Sequence, residues 1–246
     1  MSDTDQKIKR RLAVYFIVDC SKSMGDDSAM DEVKKGLRDL RNRIVEPPDG
    51  RAPDRQTITT LWVAAYRFSN DPYEISPLVP IRDFAPNLDF QPAGQTMVSK
   101  ALYLVHDKVQ QNFRPPMSGM HGYKADYRPI VFLLTDGEPD PPGDPWAEAK
   151  RRLLDMRNPK LLRYIVVGFG DGIARENLYA LGEAGNVFHF GRDRESFEDF
   201  FDWVSSSLVL ASNSLPHGDE EFEVADTPNR VQYGDWSDPP KPGGRQ

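Results

Sequence analysis

The segment from Leu12 to Val18 (LAVYFIV) is a continuous apolar run that ends directly before an acidic residue, Asp19. Because no polar residue alternates with the apolar ones, the strand that it predicts must be buried on both faces. Strands of this kind belong to parallel sheets that are covered by helices on both sides. Further strands are predicted at Ile58–Phe68, Ile130–Leu134, Leu161–Val167 and Val187–Phe190.

Amphipathic helical patterns alternate with these strands. Between Met30 and Ile44 the apolar residues recur at spacings of four, three and four, which is the period of a helix. Further helices are predicted at Val98–Phe113, Pro145–Met156, Glu176–Leu181 and Glu195–Leu210. Tyr73–Val79 follows the second strand after a short turn, which suits an antiparallel edge strand. We therefore predict an α/β fold: a Rossmann-like, doubly wound, mostly parallel sheet with one antiparallel edge strand and helices on both faces.

The composition divides the chain into three parts. Residues 1–10 are polar and charged and are predicted to be a flexible N-terminus, whereas residues 11–211 hold every predicted strand and helix and form one domain of ordinary size. Residues 212–246 contain five prolines and four glycines, more acids than bases, and no periodic pattern. We predict a disordered acidic tail there, because such a sequence cannot bury enough apolar surface to offset the entropy of ordering.

Charge and cysteine content exclude some partners and favour one location. The net charge of −7 leaves no basic surface for a phosphate backbone, so we predict no nucleic-acid partner. The longest apolar stretch near the N-terminus is too short to span a bilayer, so we predict no membrane partner. Cys20 is the single cysteine and cannot form an internal disulfide, which makes the cytoplasm the simplest location.

Oxygen-bearing side chains follow two of the predicted strands at the point where each strand ends. Asp19, Ser21 and Ser23 form a D-x-S-x-S pattern after the first strand, and Asp136 lies in a Thr-Asp-Gly sequence after a later one. Thr96 comes between them in the chain, where a loop leads into a helix. Because ligands of open parallel sheets bind outside the carboxyl ends of the strands, we expect these five side chains to converge.

The oxygen atoms of these side chains are the ligands that hard divalent cations prefer, and no thiol or imidazole belongs to the group. We predict one bound Mg²⁺ or Mn²⁺ ion, with Ca²⁺ as the less favoured metal. Two carboxylates roughly balance the charge of such an ion, so the site could still accept an anionic ligand. We expect that ligand to be an Asp or Glu carboxylate of a partner protein.

The combination of these residues resembles the metal-ion-dependent adhesion site of von Willebrand factor A domains. Asp19, Ser21 and Ser23 match the D-x-S-x-S pattern of that family, Thr96 matches its loop threonine, and Asp136 matches the aspartate of its T-D-G segment. The resemblance covers nearly all of the predicted domain. It implies a protein-binding module that holds a metal ion and is not an enzyme.

Within that family, the chain is most similar to the bacterial TerY-type proteins associated with tellurium-resistance and stress gene clusters. The segments that carry this similarity are Pro129–Pro139 and Phe200–Ser207. It implies a role in a bacterial stress-response or signalling complex, with a kinase and a phosphatase as partners.

Two other functions remain open. A magnesium-dependent phosphotransferase or hydrolase would use Asp19 as its nucleophile, but comparable enzymes need a second acid two residues further on, where this chain has Ser21. No Ser-His-Asp or Cys-His set and no phosphate-binding glycine loop is visible in the sequence. The other alternative is a scaffold in which the metal only stabilises the loops, and partner binding that survives EDTA would favour it.

Overall fold

The computed structural model describes residues 9–50, 52, 54–116, 124–137, 139, 142–161, 163–170, 174–182, 186–215 and 225. In this part of the chain one sheet is formed by the strands β1 (Leu12–Asp19), β2 (Leu61–Phe68), β3 (Pro72–Pro80), β4 (Ile130–Thr135), β5 (Arg163–Phe169) and β6 (Val187–Phe190). Their order across the sheet is β3-β2-β1-β4-β5-β6. Only β3 runs antiparallel to its neighbour, so the predicted mostly parallel sheet with one antiparallel edge strand is confirmed.

Helices cover both faces of this sheet, as predicted. They are α1 (Ala29–Val45), α2 (Arg55–Thr60), α3 (Val98–Asn112), α4 (Trp146–Leu154), α5 (Arg175–Leu181) and α6 (Arg194–Ser214). The central strand β1 is buried along its whole length. Its alternate residues enter two apolar cores, one shared with α1 and α6 and the other shared with α3, α4 and α5. None of the helices among the described residues is long and apolar enough to cross a membrane.

One predicted strand begins three residues too early. We expected a strand from Ile58, but Arg55–Thr60 forms α2 and the strand starts at Leu61. The carboxylate of Asp54 explains the difference, because it accepts hydrogen bonds from the backbone N–H of Gln56 (3.4 Å) and Thr57 (2.7 Å) and thereby caps the helix. Ile58, Thr59 and Thr60, which were assigned to the strand, therefore belong to the end of a helix.

The predicted boundary after residue 211 falls inside α6. Ser212 is fully buried, its hydroxyl donates to the carbonyl oxygen of Leu208 at 2.7 Å, and Leu215 beyond the helix is buried as well. Ala225 also contacts α6: its carbonyl oxygen accepts from Trp203 Nε1 and its N–H donates to Ser207 Oγ, both at 3.0 Å. The rest of the predicted tail lies outside the described residues, as do residues 1–8 of the predicted N-terminus.

The close approach of α1 to α6 depends on Gly36. A Cβ atom at this position would lie 2.0 Å from two ring carbons of Phe201. Alanine normally stabilises a helix interior by about 0.5–1 kcal/mol relative to glycine. Here we expect Gly36→Ala to lower the free energy of unfolding, measured by urea denaturation, by about 1–3 kcal/mol because the core becomes overpacked.

A second substitution tests whether the clash with Phe201 causes this loss. Phe201→Ala removes the three ring carbons that a Cβ on Gly36 would meet. The two changes should therefore be non-additive, with Gly36→Ala costing less in the Phe201→Ala background than in the wild type. A Gly36→Ala protein that is as stable as the wild type would show that the helices can move apart at little cost.

A buried ion pair holds the start of β1 to the segment before β4. The carboxylate of Asp126 accepts hydrogen bonds from Arg11 Nη2 (2.6 Å) and Arg11 Nε (2.9 Å). It also accepts from the backbone N–H of Arg11 and of Arg114, both at 3.1 Å. The ion pair lies at the end of the sheet where β1 begins, opposite to the end at which β1 and β4 finish.

Candidate metal centre

The sheet brings the two predicted carboxylates to the same edge. Asp19 is the last residue of β1, and Asp136 follows the last residue of the neighbouring parallel strand β4. The strand order reverses here, because β1 is flanked by β2 on one side and by β4 on the other. Ligands of open α/β sheets bind in the crevice at such a point. We call this end of the sheet the carboxyl edge.

Hydrogen bonds connect the D-x-S-x-S loop with Asp136. Asp19 Oδ1 accepts from the backbone N–H of Ser21 at 2.8 Å, which holds the start of the loop. The hydroxyl oxygens of Ser21 and Ser23 lie 3.1 Å apart, and Ser23 Oγ donates to Asp136 Oδ1 at 2.8 Å. Four of the five predicted site residues therefore form one continuous network.

Thr96 faces the same network from a third loop. A Cβ atom built on Gly137 would lie 3.6 Å from Ser23 Oγ and 3.8 Å from Thr96 Oγ1, so both hydroxyl oxygens lie within 4 Å of one point. Thr96 is buried, yet within the described part of the chain no group forms a hydrogen bond with its hydroxyl. The structure therefore brings all five predicted residues together, and the Thr96 hydroxyl is left available for a ligand.

Backbone contacts fix the position of the Thr96 loop relative to the D-x-S-x-S loop. The N–H of Lys22 donates to the carbonyl oxygen of Gly94 at 3.2 Å, and the N–H of Ala93 donates to that of Cys20 at 2.9 Å. Gly94 has a φ of 84°, and a Cβ atom there would lie 2.8 Å from Asn70 Oδ1. This Asn70 oxygen accepts the N–H of Gln95 at 2.9 Å, so glycine is required for the loop to pass close to it.

Two residues of the site were not singled out from the sequence. Thr135 Oγ1 donates to Asp19 Oδ2 at 2.7 Å, so both oxygens of Asp19 are engaged in hydrogen bonds. Arg192 lies between β6 and α6, and its Nη2 is 3.0 Å from Asp136 Oδ2. Its place after a parallel strand is the one signal in the sequence that could have indicated it, because that position also lies at the carboxyl edge.

Burial makes both carboxylates costly to ionise. It raises the pKa of Asp19 to about 6, although hydrogen bonds from Thr135 and Ser21 act in the opposite direction. Burial also raises the pKa of Asp136, against the lowering effects of the Ser23 hydrogen bond and the positive charge of Arg192. A bound cation would offset this cost by favouring the charged form of each group.

The donor set fits a hard divalent ion. Asp136 Oδ2 is buried and lies within ion-pair distance of Arg192, but makes no hydrogen bond to the described residues. This carboxylate oxygen and the hydroxyls of Ser21, Ser23 and Thr96 offer only oxygen atoms as ligands. Such a ligand set suits Mg²⁺ or Mn²⁺. No group of three or more His, Cys, Asp or Glu side chains suited to a metal occurs among the described residues.

Comparison with protein families gives an independent result. The family model of the von Willebrand factor type A domain matches residues 13–203, a range that includes all five site residues. No curated protein matches the chain.

Several solved structures are similar to this chain. A von Willebrand factor type A protein from Catenulispora acidiphila has 16% identity and a TM-score of 0.60, over 82% of this chain and 43% of that chain. Proximal thread matrix protein 1 from the mussel byssus, with a zinc-occupied metal-ion-dependent adhesion site (MIDAS) motif, has 15% identity and a TM-score of 0.52, over 80% of this chain and 46% of that chain. The pilus adhesin SpaC from Lactobacillus rhamnosus GG has 13% identity and a TM-score of 0.60, over 82% and 30%.

These identities establish a shared fold and nothing finer. The chain also spans less than half the length of each of these three proteins. What the longer proteins bind therefore does not transfer directly to this chain.

Proposed function

Since the chain belongs to the von Willebrand factor type A domain family, we propose that it is a metal-dependent protein-interaction module. It binds one divalent ion at the carboxyl edge and uses that ion to bind a carboxylate of a partner protein. The observation that carries this proposal is that Ser23 Oγ and Thr96 Oγ1 lie within 4 Å of one point, while the buried Asp136 Oδ2 has no hydrogen-bond partner among the described residues.

In this proposal the hydroxyls of Ser21, Ser23 and Thr96 bind the ion, and Asp19 and Asp136 bind it directly or through water. Mg²⁺ and Mn²⁺ are the favoured ions and Ca²⁺ the less favoured one, because a compact set of hydroxyls and carboxylates suits a small octahedral ion. When bound, the ion supplies a Lewis-acidic position that can accept a carboxylate oxygen. The zinc-occupied MIDAS motif of the mussel protein is consistent with a metal site in this fold.

The surroundings of the site favour a protein as the ligand. Lys22, Gly25, Asp26 and Gln95 are exposed around the buried cluster, so a partner can contact them while it reaches the metal. One metal–carboxylate bond does not provide high affinity alone, and this rim adds area and specificity. The partner therefore contributes both an Asp or Glu and a complementary surface.

An enzymatic role receives less support from the geometry of Asp19. This residue is fully buried and both of its oxygens accept hydrogen bonds. A nucleophile must lie within reach of the substrate, and burial at this position prevents that.

The finer assignments rest on the sequence resemblance alone. A TerY-type identity, a role in tellurium resistance or stress response, and a kinase and phosphatase as partners all follow from the segments Pro129–Pro139 and Phe200–Ser207. They are proposals about the biological setting of the module. The cytoplasmic location likewise stays a prediction.

Metal binding is the first test of this function. Calorimetry with the full chain should detect one Mg²⁺ or Mn²⁺ ion per molecule, and the double variant Ser21→Ala/Asp136→Ala should lose this binding because it lacks a hydroxyl and a carboxylate of the site. The control Thr59→Ala/Asp155→Ala removes the same two groups from α2 and from the end of α4, and should bind as the wild type does. Absence of binding by the wild type would contradict the proposal.

Partner binding is the second readout of the same experiment. Proteins captured from a native lysate in the presence of Mg²⁺ should be released by EDTA and should not be retained by the Ser21→Ala/Asp136→Ala variant. Capture that is unchanged by EDTA and by the double substitution would support the scaffold function, in which the metal only stabilises the loops.

A further inference from the structure

Arg192 inserts a positive charge into the proposed metal site. Its Nη2 lies 3.0 Å from Asp136 Oδ2 and donates hydrogen bonds to the carbonyl oxygens of Ser23 and, at 3.2 Å, Asp26. One nitrogen therefore contacts both the D-x-S-x-S loop and the carboxylate that follows β4. No other basic side chain in the described part of the chain forms an ion pair with Asp136.

Packing against Gly170 fixes the position of the Arg192 side chain. The stem of its side chain lies against Gly170, where a Cβ atom would come within 3.1 Å of Arg192 Cβ and Cδ. The side chain of Arg192 is 22% exposed and that of Asp136 is not exposed at all. The ion pair is thus shielded from water, which makes the interaction between the charges stronger than on an open surface.

The hydrogen bonds of Arg192 are incomplete. Its Nε is buried and has no hydrogen-bond partner among the described residues. Asp136 Oδ1 accepts from Ser23, whereas the ion pair with Arg192 is the only contact of Asp136 Oδ2 with a charged group in the described part of the chain. The guanidinium is therefore held by two carbonyl oxygens and by its attraction to Asp136, and a stronger cation could replace it at Asp136.

We propose that Arg192 competes with the divalent ion for Asp136 and thereby sets the metal affinity of the site. This inference rests on the proposed function. With Asp19 and Asp136 ionised, a divalent ion alone makes the cluster neutral, whereas the ion together with Arg192 leaves one positive charge in excess. An excess charge is unfavourable in a shielded site, so metal binding requires Arg192 to move away from Asp136.

Calorimetry of Mg²⁺ and Mn²⁺ binding to the full-length variant Arg192→Gln tests this inference. We expect the variant to bind the ion about tenfold or more tightly than the wild type, since the competing charge is gone. The control Arg194→Gln removes the same charge two residues further on, where the side chain pairs with Glu198 at 3.0 Å, and should leave the metal affinity nearly unchanged.

A second variant and a second measurement keep the test decisive. Arg192→Met retains the stem over Gly170 and should also bind the ion more tightly, even if Arg192→Gln does not fold. In the wild type, the side-chain Nε–H resonance of Arg192, identified by its absence from the variants, should shift as Mg²⁺ is added. An affinity that is unchanged or lower in the folded variants, or a resonance that does not move, would overturn the competition. If neither the wild type nor the variants bind a metal ion, the proposed function itself fails.

Discussion

Replacing Asp126 with alanine is expected to destabilise the domain by about 3–5 kcal/mol, because the change leaves the charge of Arg11 buried without its partner. The two side chains are only 9% and 6% exposed, so water cannot replace the lost carboxylate. The variant also leaves two backbone N–H groups, those of Arg11 and Arg114, without their acceptor. Urea denaturation at neutral pH measures the loss, which is large relative to the stability of an ordinary domain.

Two comparisons separate this effect from a general loss of charge. Glu198 forms ion pairs with Lys35 and Arg194 but lies at the surface, so Glu198→Ala should cost less than about 1 kcal/mol. Adding Arg11→Met to Asp126→Ala should not destabilise the protein further, because the unpaired charge disappears together with the arginine. A cost below about 1 kcal/mol for Asp126→Ala alone would mean that water or another group reaches Arg11.

The parts of the fold that sequence patterns predict are those in which local and tertiary preferences agree. The apolar run of β1 is suited to a buried strand and is one, and Asp19 lies at its end as expected. At Ile58–Thr60 two local preferences disagree, because β-branched residues favour a strand while the Asp54 cap starts a helix. The hydrogen bonds of Asp54 decide the outcome, and a pattern of apolar residues does not record them.

The topology of the sheet explains which residues of the site could be predicted from the sequence. Asp19, Ser21, Ser23, Thr96 and Asp136 were identifiable because each follows a strand or precedes a helix at the carboxyl edge, and the topology of a parallel sheet brings such positions together. Arg192 reaches the site only through the path of its side chain across Gly170. A contact between residues so far apart in the chain has no local signature. The end of α6 was missed for a different reason: Ser212 is polar, yet it is fully buried and its hydroxyl donates to the carbonyl oxygen of Leu208 one helical turn earlier.

Replacing Asp19 with asparagine is expected to stabilise the metal-free protein and to weaken metal binding. Its carboxylate is fully buried and its pKa is raised to about 6, mainly by burial. In the unfolded chain the group has its ordinary pKa near 3.8, so the folded protein holds the proton more tightly. Ionised Asp19 therefore destabilises the metal-free fold above about pH 6 and has no such effect below about pH 4.

Asparagine has nearly the same shape and can keep the hydrogen bonds of this position. Its amide oxygen can accept the N–H of Ser21, and its amide nitrogen can donate to Thr135 Oγ1. The hydroxyl of Thr135 can then donate to the carbonyl oxygen of Gly137, which lies 3.1 Å away. Asp19→Asn therefore removes the buried charge and keeps both hydrogen bonds of this position.

In EDTA at pH 7.5 we expect Asp19→Asn to raise the free energy of unfolding by up to about 3 kcal/mol, the amount that corresponds to a pKa raised from 3.8 to about 6. The difference from the wild type should shrink as the pH falls through 6.

The affinity of the Asp19→Asn protein for Mg²⁺ should fall about 10- to 100-fold, because the group that orients the serines loses its charge. At an Mg²⁺ concentration about 100 times its dissociation constant the wild type gains about 2.7 kcal/mol, so the two proteins should approach equal stability or exchange order. Denaturation curves with and without Mg²⁺ measure both effects, and Asp155→Asn at an exposed position serves as the control. If Asp19→Asn is the less stable protein in EDTA at pH 7.5, the hydrogen bonds of the carboxylate outweigh the cost of its burial, and Asp19 stabilises the loop even without a metal ion.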